Sequence, residues 1–500
     1  VSSTKPIDSV VVQELADPLR LVAFRPAAGG SQNNEAVEPL ALESWEAPAA
    51  TLFITGRQHG YIEPCGCTGL ENAKGGLSRR TSFLNQLRAK GWNVVALDAG
   101  DQVRRFGRQA ELKFQTTVDV LKAAKYDAVG FGHDDLRLSF DELLSIIAPT
   151  DGAESIFVSA NVDVLGLVPK TRVVEAGGKK IGITSVLGPR YAAQVQNENL
   201  TITDAATELR RVLPTLQQAR CDVLVLLAHT TLDETRALAK QFPMLDIIVT
   251  AGGAGEPTLE PERVAGSKTQ IIQTGTKGMY VGVVGIYDDP KAPVRYERVA
   301  LDARFPDSNK VLELFGAYQQ QLKVLGWSGL GIKPIPYPTK EPRKFVGHEA
   351  CADCHTKAYK AFVESPHYVA TEKIAKPTQR ASIPRHFDPE CISCHVTGWN
   401  PQEYFPYVSG YLDYEESEHL HTNGCENCHG PGSLHVAAEL GEIDVTDEMK
   451  KTYRDQMRLT LEQARKSACA ECHDIDNSPS FHLEGAFEKY WEEVKHYGKD

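Results

Sequence analysis

The strongest constraint on this chain is a pattern of cysteine and histidine that recurs four times in its last third. Cys351-Ala-Asp-Cys354-His355, Cys391-Ile-Ser-Cys394-His395, Cys425-Glu-Asn-Cys428-His429 and Cys469-Ala-Glu-Cys472-His473 all read Cys-x-x-Cys-His. Two thiols three positions apart lie on one side of a helical turn, and the next residue can aim its imidazole at a metal beside them. This is the attachment pattern of c-type haem: the thiols bond the two vinyl groups and the histidine is the proximal iron ligand. A structural zinc closes on four ligands, so a fifth group after every pair would be superfluous, and a disulfide framework has no use for one. The pattern therefore predicts four covalently bound haems, with His355, His395, His429 and His473 as proximal ligands.

The distal ligand decides what each iron does. Only Met449 and Met457 lie in this part of the chain, whereas His348, His367, His386, His419, His421, His435, His482 and His496 remain after the proximal four. That excess predicts bis-His ligation, which blocks substrate access and suits electron transfer. His367 in Ser365-Pro366-His367, His435 in Gly430-Pro431-Gly432-Ser433-Leu434-His435, and His496 are the first candidates, with His421 as the fourth. A surplus histidine can equally be a solvated surface residue.

Cysteine and histidine divide the chain near residue 340: eight of eleven cysteines and twelve of fifteen histidines follow it. Residues 329–343, with four prolines between Gly331 and Pro342, read as a semi-rigid linker between a domain at 51–328 and a haem domain at 344–500. Roughly 40 residues per haem is too few for a conventional core, so the porphyrins must supply buried apolar surface. Short helices, as at 349–365 and 459–468, and long loops are expected there. Residues 1–50 read as a partly irregular leader.

The run Gly424-Cys425-Glu426-Asn427-Cys428-His429-Gly430-Pro431-Gly432-Ser433-Leu434-His435 resembles the signature of the tetrahaem cytochromes that accept electrons from hydroxylamine oxidoreductase. Ser365-Pro366-His367 and Cys391–Trp399 are also similar to segments of that family. The resemblance covers about residues 345–500 and implies closely stacked haems, mostly bis-His, with one iron left five-coordinate.

Residues 51–328 alternate apolar runs, at 51–55, 93–98, 127–131, 155–161, 222–228 and 245–250, with amphipathic stretches at 77–90, 111–125 and 205–219. That alternation predicts an α/β layered domain, with hairpins at 172–188 and 270–288. Its strand ends carry Arg57-Gln58-His59, Asp98-Ala99-Gly100-Asp101, Gly130-Phe131-Gly132-His133-Asp134, Ala228-His229 and Gly252-Gly253-Ala254-Gly255. With Gly75–Arg80 and Ser159–Val162, these resemble the four-layer calcineurin-like metallophosphoesterases, specifically the catalytic domain of 5'-nucleotidases. The resemblance implies a two-metal site to which His59, Asp101, His133 and His229 belong. However, Arg57, Gly132, Gly253 and Gly255 stand where that family has ligands, and a guanidinium repels a divalent ion. The expectation is a vestigial dinuclear site without phosphoesterase activity, the alternative being one divalent metal on Asp101, His133 and His229, helped by Asp134. Cys65 and Cys67 flank one glycine in the first loop and can bind a soft metal, pair, or stay as thiols.

A net charge of -12 argues against nucleic acid, and no run of about 20 apolar residues spans a bilayer. The opening Val1 reads as a processed, exported chain, periplasmic or at the cell surface, with peripheral or lipid-anchored membrane association compatible with it. The expected function is electron transfer between redox protein partners, alone or as a subunit of an oligomer or larger haem assembly. Three alternatives stay open: an oxidoreductase acting on a small nitrogen or sulfur compound at one open haem, an active metallophosphoesterase with an electron-transfer domain, and nucleotide or anion binding in which Arg57, Arg79 and Arg80 take part.

Overall fold

Apolar runs that end in polar residues become strands, and the amphipathic stretches between them become helices. The computed structural model describes residues 39–63, 73–148, 154–376, 383–474 and 477–496; Cys65, Cys67 and most of the leader lie outside them. The chain divides into units at 1–43 and 44–500, and the second carries everything below. Its main strands are β1 (Ala50–Thr55), β2 (Val94–Asp98), β3 (Ala128–Val129), β4 (Arg172–Ala176), β5 (Lys179–Leu187), β6 (Val223–His229), β7 (Ile247–Thr250), β8 (Glu262–Arg263), β9 (Gln270–Gln273), β10 (Tyr280–Ile286) and β11 (Val294–Ala300). The helices among them are α1 (Leu77–Ala89), α2 (Arg108–Ala123), α3 (Phe140–Ile147), α4 (Ala205–Gln218), α5 (Leu232–Gln241) and α6 (Asn309–Gly329).

These strands form two sheets, ordered β11-β10-β1-β2-β3 and β8-β9-β7-β6-β5-β4. Leu52, Ile54, Val95 and Leu97 of the first face Ile183, Val225, Leu227 and Val249 of the second in one buried cluster. Leu209, Leu213 and Leu238 of α4 and α5 cover the outer face of the second sheet, and Phe83 of α1 packs on Phe53 of the first, 5.6 Å between ring centres. The result is the expected α/β/β/α layering, in which every strand of a sheet's middle is buried on both faces and so reads as continuously apolar.

The hairpin at 172–188 forms as expected: Ala176 pairs with Lys179 across Gly177-Gly178, whose φ of 54° and 78° are those of a type I′ turn. The one expected at 270–288 does not. β9 runs parallel to β7 in the second sheet, while β10 pairs with β1 and β11 in the first. Two apolar runs around glycines satisfy a hairpin pattern locally, but the partners each strand finds lie far away in sequence. Residues 155–161 are also not a strand. They make a single bridge, Val129 to Phe157, and Asn161 then ties the connector to the backbone of Leu187 and Thr203.

The rest of the chain is helical and irregular: α7 (Glu349–Ala352), α8 (Thr356–Glu364), α9 (Ala370–Ala375), α10 (Pro389–His395), α11 (Cys425–His429), α12 (Ser433–Leu440), α13 (Asp447–Gln456) and α14 (Ala486–Val494). The helix expected over 349–365 breaks at His355, whose φ of -123° and ψ of 52° turn the chain after the second thiol. Apolar clusters here are small, such as Phe345, Ile392, Trp399 and Tyr411. The proline-rich segment is docked rather than free: Ile335 exchanges backbone hydrogen bonds with Pro406 and Val408, and Tyr337 packs edge-on to Tyr407 at 4.8 Å.

Candidate functional site

The four Cys-x-x-Cys-His segments converge. A cavity of about 980 Å³ is lined by Cys391, Cys394, Cys428, Cys469 and Cys472 together with His395 and His473. The thiols of Cys351 and Cys425 share a hydrogen bond, as do those of Cys394 and Cys472, and Cys428 lies close to Cys469 and Cys472. Burial pushes the Cys428 thiol up to about 12, so it is held protonated in an apolar space. The attachment segments thus follow one another in space in the order first, third, fourth, second.

Three proximal rings are oriented through Nδ1: His395 on the Ala370 carbonyl at 2.7 Å, His429 on the Met457 carbonyl at 2.6 Å, and His473 on Ser478 Oγ at 3.1 Å. A donating Nδ1–H leaves the Nε2 lone pair for a metal. Opposite these rings stand other histidines: His435 faces His355 with 6.3 Å between ring centres, His367 faces His473 at 6.2 Å, and His496 faces His429 at 5.8 Å. Two axial bonds of about 2 Å, and roughly 1 Å from each nitrogen to its ring centre, place the imidazoles of a bis-His iron about 6 Å apart. The residues present therefore fit haem. Burial, reinforced by His473, lowers His367 to about 4, which keeps it neutral and able to coordinate.

His421 is not brought opposite a proximal ring. Its Nε2 lies 2.8 Å from the Tyr414 carbonyl and its ring packs on Tyr411 and Tyr414, so its donor is spent locally. Among the described residues no other histidine ring faces His395 in the way the three pairs do. His386 packs at a tilt against Phe387, 3.8 Å between ring centres, and His348 hydrogen-bonds the Tyr359 hydroxyl at 3.3 Å.

In the α/β domain, the ends of β2 and β6 and the loop after β3 bring Asp101, His229 and His133 together. Asp101 Oδ2 lies 3.3 Å from His229 Nε2 and 3.5 Å from His133 Nδ1, and the two nitrogens are 3.2 Å apart. Edges of roughly 3.3 Å are those of a tetrahedron around a metal with bonds near 2 Å; these atoms form the metal-competent group among the described residues. Burial works to raise Asp101, but His229 and His133 outweigh it and hold the carboxyl at about 2. Tyr191 closes one side, 4.9 Å from the His133 ring and 4.6 Å from that of His229. Asp134 reaches His133 Nε2 at 3.5 Å but pairs with Arg137 at 2.9 Å.

The substitutions noted in the sequence shape this cluster. A Cβ at Gly132 would fall 1.8 Å from Asp101 Oδ1, so the carboxylate occupies the space a side chain there would need. Arg57 donates to the Gly253 carbonyl at 3.1 Å. His59 stays outside the three-residue group, and burial lowers it to about 4. Arg57, His59 and Asp101 have φ of 52°, 55° and 58°, left-handed backbone that costs about 1 kcal/mol or more each and collects at functional sites. The anion-binding alternative loses two residues: Arg80 is buried on Asp98 at 3.1 Å, and Arg79 is buried against the Ala73 carbonyl.

A group the sequence did not single out joins the two domains. Lys113 of α2 contacts Glu390 of α10 at 2.6 Å. Asp388 caps α10 by accepting from Glu390 N and accepts from Gln109 at 2.8 Å and Gln319 at 3.0 Å. Lys113 is invisible in sequence because α2 buries a second face, Leu112 and Val120 packing against Val311, Phe315 and Leu322 of α6, and an amphipathic stretch announces only one.

Comparison with known proteins matches each half separately. Residues 350–430 match the family model described as cytochrome c554 and c-prime, which implies haem c and suggests electron transfer. Over the N-terminal half the chain is similar to 5'-nucleotidases and apyrases. It is 23% identical to an apyrase of Aedes albopictus over 53% of each chain. It is also 25% identical to the venom 5'-nucleotidase of Naja atra, over 53% of this chain and 52% of that one. The chain spans about half the length of these curated relatives. Solved structures with a similar fold include a 5'-nucleotidase precursor from Thermus thermophilus, 21% identical, TM-score 0.48, covering 67% of this chain and 71% of that one. The sulfate thiohydrolase SoxB of the same organism is 18% identical, TM-score 0.47, covering 56% and 62%.

Proposed function

We propose that the chain is an exported tetrahaem electron-transfer protein, resembling the hydroxylamine-oxidoreductase-linked cytochromes in its haem domain and carrying a phosphoesterase-like domain that has lost dinuclear chemistry. The observation that carries the reading is the opposition of His435, His367 and His496 to three proximal rings at 5.8–6.3 Å. Bound haem would supply a one-electron Fe(III)/Fe(II) couple at each attachment segment. The chain's own residues fix the order of the sites and shield them in apolar surroundings, and burial lowers His367, His395, His429 and His473 toward the neutral form that can ligate. Redox protein partners would exchange electrons at the two ends of the series. Among the described residues no helix is long and apolar enough to cross a membrane.

Mass spectrometry should show four haem additions, and low-temperature paramagnetic resonance should count three low-spin irons and one high-spin iron. Material without covalent haem would refute the proposal. That no histidine ring among the described residues faces His395 favours a second reading, turnover of a small nitrogen or sulfur compound at that iron; cyanide or nitric oxide should then perturb only the high-spin signal. The compact Asp101, His133 and His229 group favours one divalent ion in the other domain, without phosphatase turnover.

A further inference from the structure

The segment bearing His395 differs from the other three in what surrounds it. Its helix α10 is bonded to Gln109, Lys113 and Gln319, and the cavity it shares with the third and fourth attachment segments is also lined by Gly60, Tyr61 and Glu63 from the loop after β1, Lys113 from α2, and Tyr318 from α6. These five lining residues all belong to the α/β domain. Arg385, four residues before the first residue of α10, is paired with Glu63, and Asp388 at the helix's N-terminus is held by Gln109 and Gln319. The position and tilt of α10 are therefore fixed from the α/β side.

Of these five residues from the α/β side, Lys113 is the cation. It is 8% exposed, and its stem lies along Gly60, where a Cβ would meet its Cδ at 3.2 Å. Gly60 has a φ of 77°, so the loop both turns there and leaves a channel for the lysine. Burial works against the charge, but Glu390 and Asp388 outweigh it and hold the ammonium above the ordinary lysine range; Cys391 is also within electrostatic reach. A buried charge in low-dielectric surroundings acts strongly on any neighbouring redox centre. A cation favours the reduced form and an anion the oxidised one, and such charges are among the means by which a protein sets haem potentials.

Resting on the proposal that haem is bound at Cys391 and Cys394, we propose that the α/β domain is part of this haem site. It fixes α10 through Asp388 and sets the potential of the His395 iron through the pair of buried Lys113 with half-buried Glu390. The couple remains Fe(III) plus one electron to Fe(II), with no bond made or broken at Lys113. Lys113 is a positioning and tuning residue, not a ligand. The retained phosphoesterase-like frame then has a use that does not depend on hydrolysis.

The test is a potentiometric titration of the full-length holoprotein, followed by paramagnetic resonance so that each iron is read separately. Lys113→Met should lower the midpoint potential of the high-spin iron, and Glu390→Gln should raise that of the same iron. Lys113→Arg, which keeps the charge, should remain near the parent value, and the three low-spin irons should not move. Unchanged potentials in both variants, shifts of the same sign, or shifts spread over all four irons would overturn the inference. If Lys113→Met does not accumulate with a full haem complement, the near-isosteric Glu390→Gln decides. A protein lacking haem altogether would sink the functional proposal instead, so the two failures are distinguishable.

Discussion

His59 illustrates how a single side chain records its surroundings. In the folded chain burial holds it at about 4, against an ordinary value of 6.5, so between these limits the unfolded chain binds the extra proton. Its contribution to stability is therefore complete above about 6.5 and is lost as the pH falls toward 4. Denaturant titrations across that window should show the decline, and His59→Leu should flatten it; an unchanged slope would remove His59 as the cause. At Gly132 the constraint is steric. Gly132→Ala places a methyl on Asp101 Oδ1, so stoichiometric zinc or manganese uptake by the α/β domain should fall at least tenfold. His229→Ala should do the same, with four haems retained in both variants.

Among elements, the end of β2 is held by charge rather than by apolar packing. Asp98 receives Arg80 of α1, Thr55 of β1 and Gln102 in an almost fully buried group. Breaking such a pair leaves an uncompensated buried charge, at a cost of about 3–5 kcal/mol. Arg80→Met should lower the unfolding midpoint accordingly, whereas a surface pair such as Lys310 with Glu313 should matter by less than about 1 kcal/mol. The N-terminus of α5 is closed by a capping box in which Thr231 and Glu234 satisfy each other's backbone. Thr231→Ala should cost about 1 kcal/mol, measured by chemical denaturation.

For the whole molecule, the joint lies inside one compact unit that runs from residue 44 to residue 500. Asp388 is 4% exposed, and burial raises its carboxyl while Lys113 opposes that shift. Asp388→Ala removes the cap of α10 and the hydrogen bonds from Gln109, Tyr318 and Gln319 of the other domain, so limited proteolysis should cut between the halves faster than in the parent. In the haem part, His435→Ala, His367→Ala and His496→Ala should each convert one low-spin iron to high-spin. His421→Ala should leave the count unchanged, because that ring is engaged with the Tyr414 carbonyl.

Haem chemistry was legible because covalent attachment needs residues adjacent in the chain: Cys-x-x-Cys-His is complete within five positions, and chance does not repeat it four times. The layered α/β domain was legible for a similar reason, since the strand and helix periods are local. Pairing over distance was not. Which histidine stands opposite which, and why the apolar run at 270–273 leaves its neighbour for the other sheet, depend on contacts far apart in the chain. So does the place of Lys113 beside α10, 277 residues from its partner Glu390. Sequence patterns carry the preference of each segment for a buried face; the tertiary structure decides which surface supplies that face.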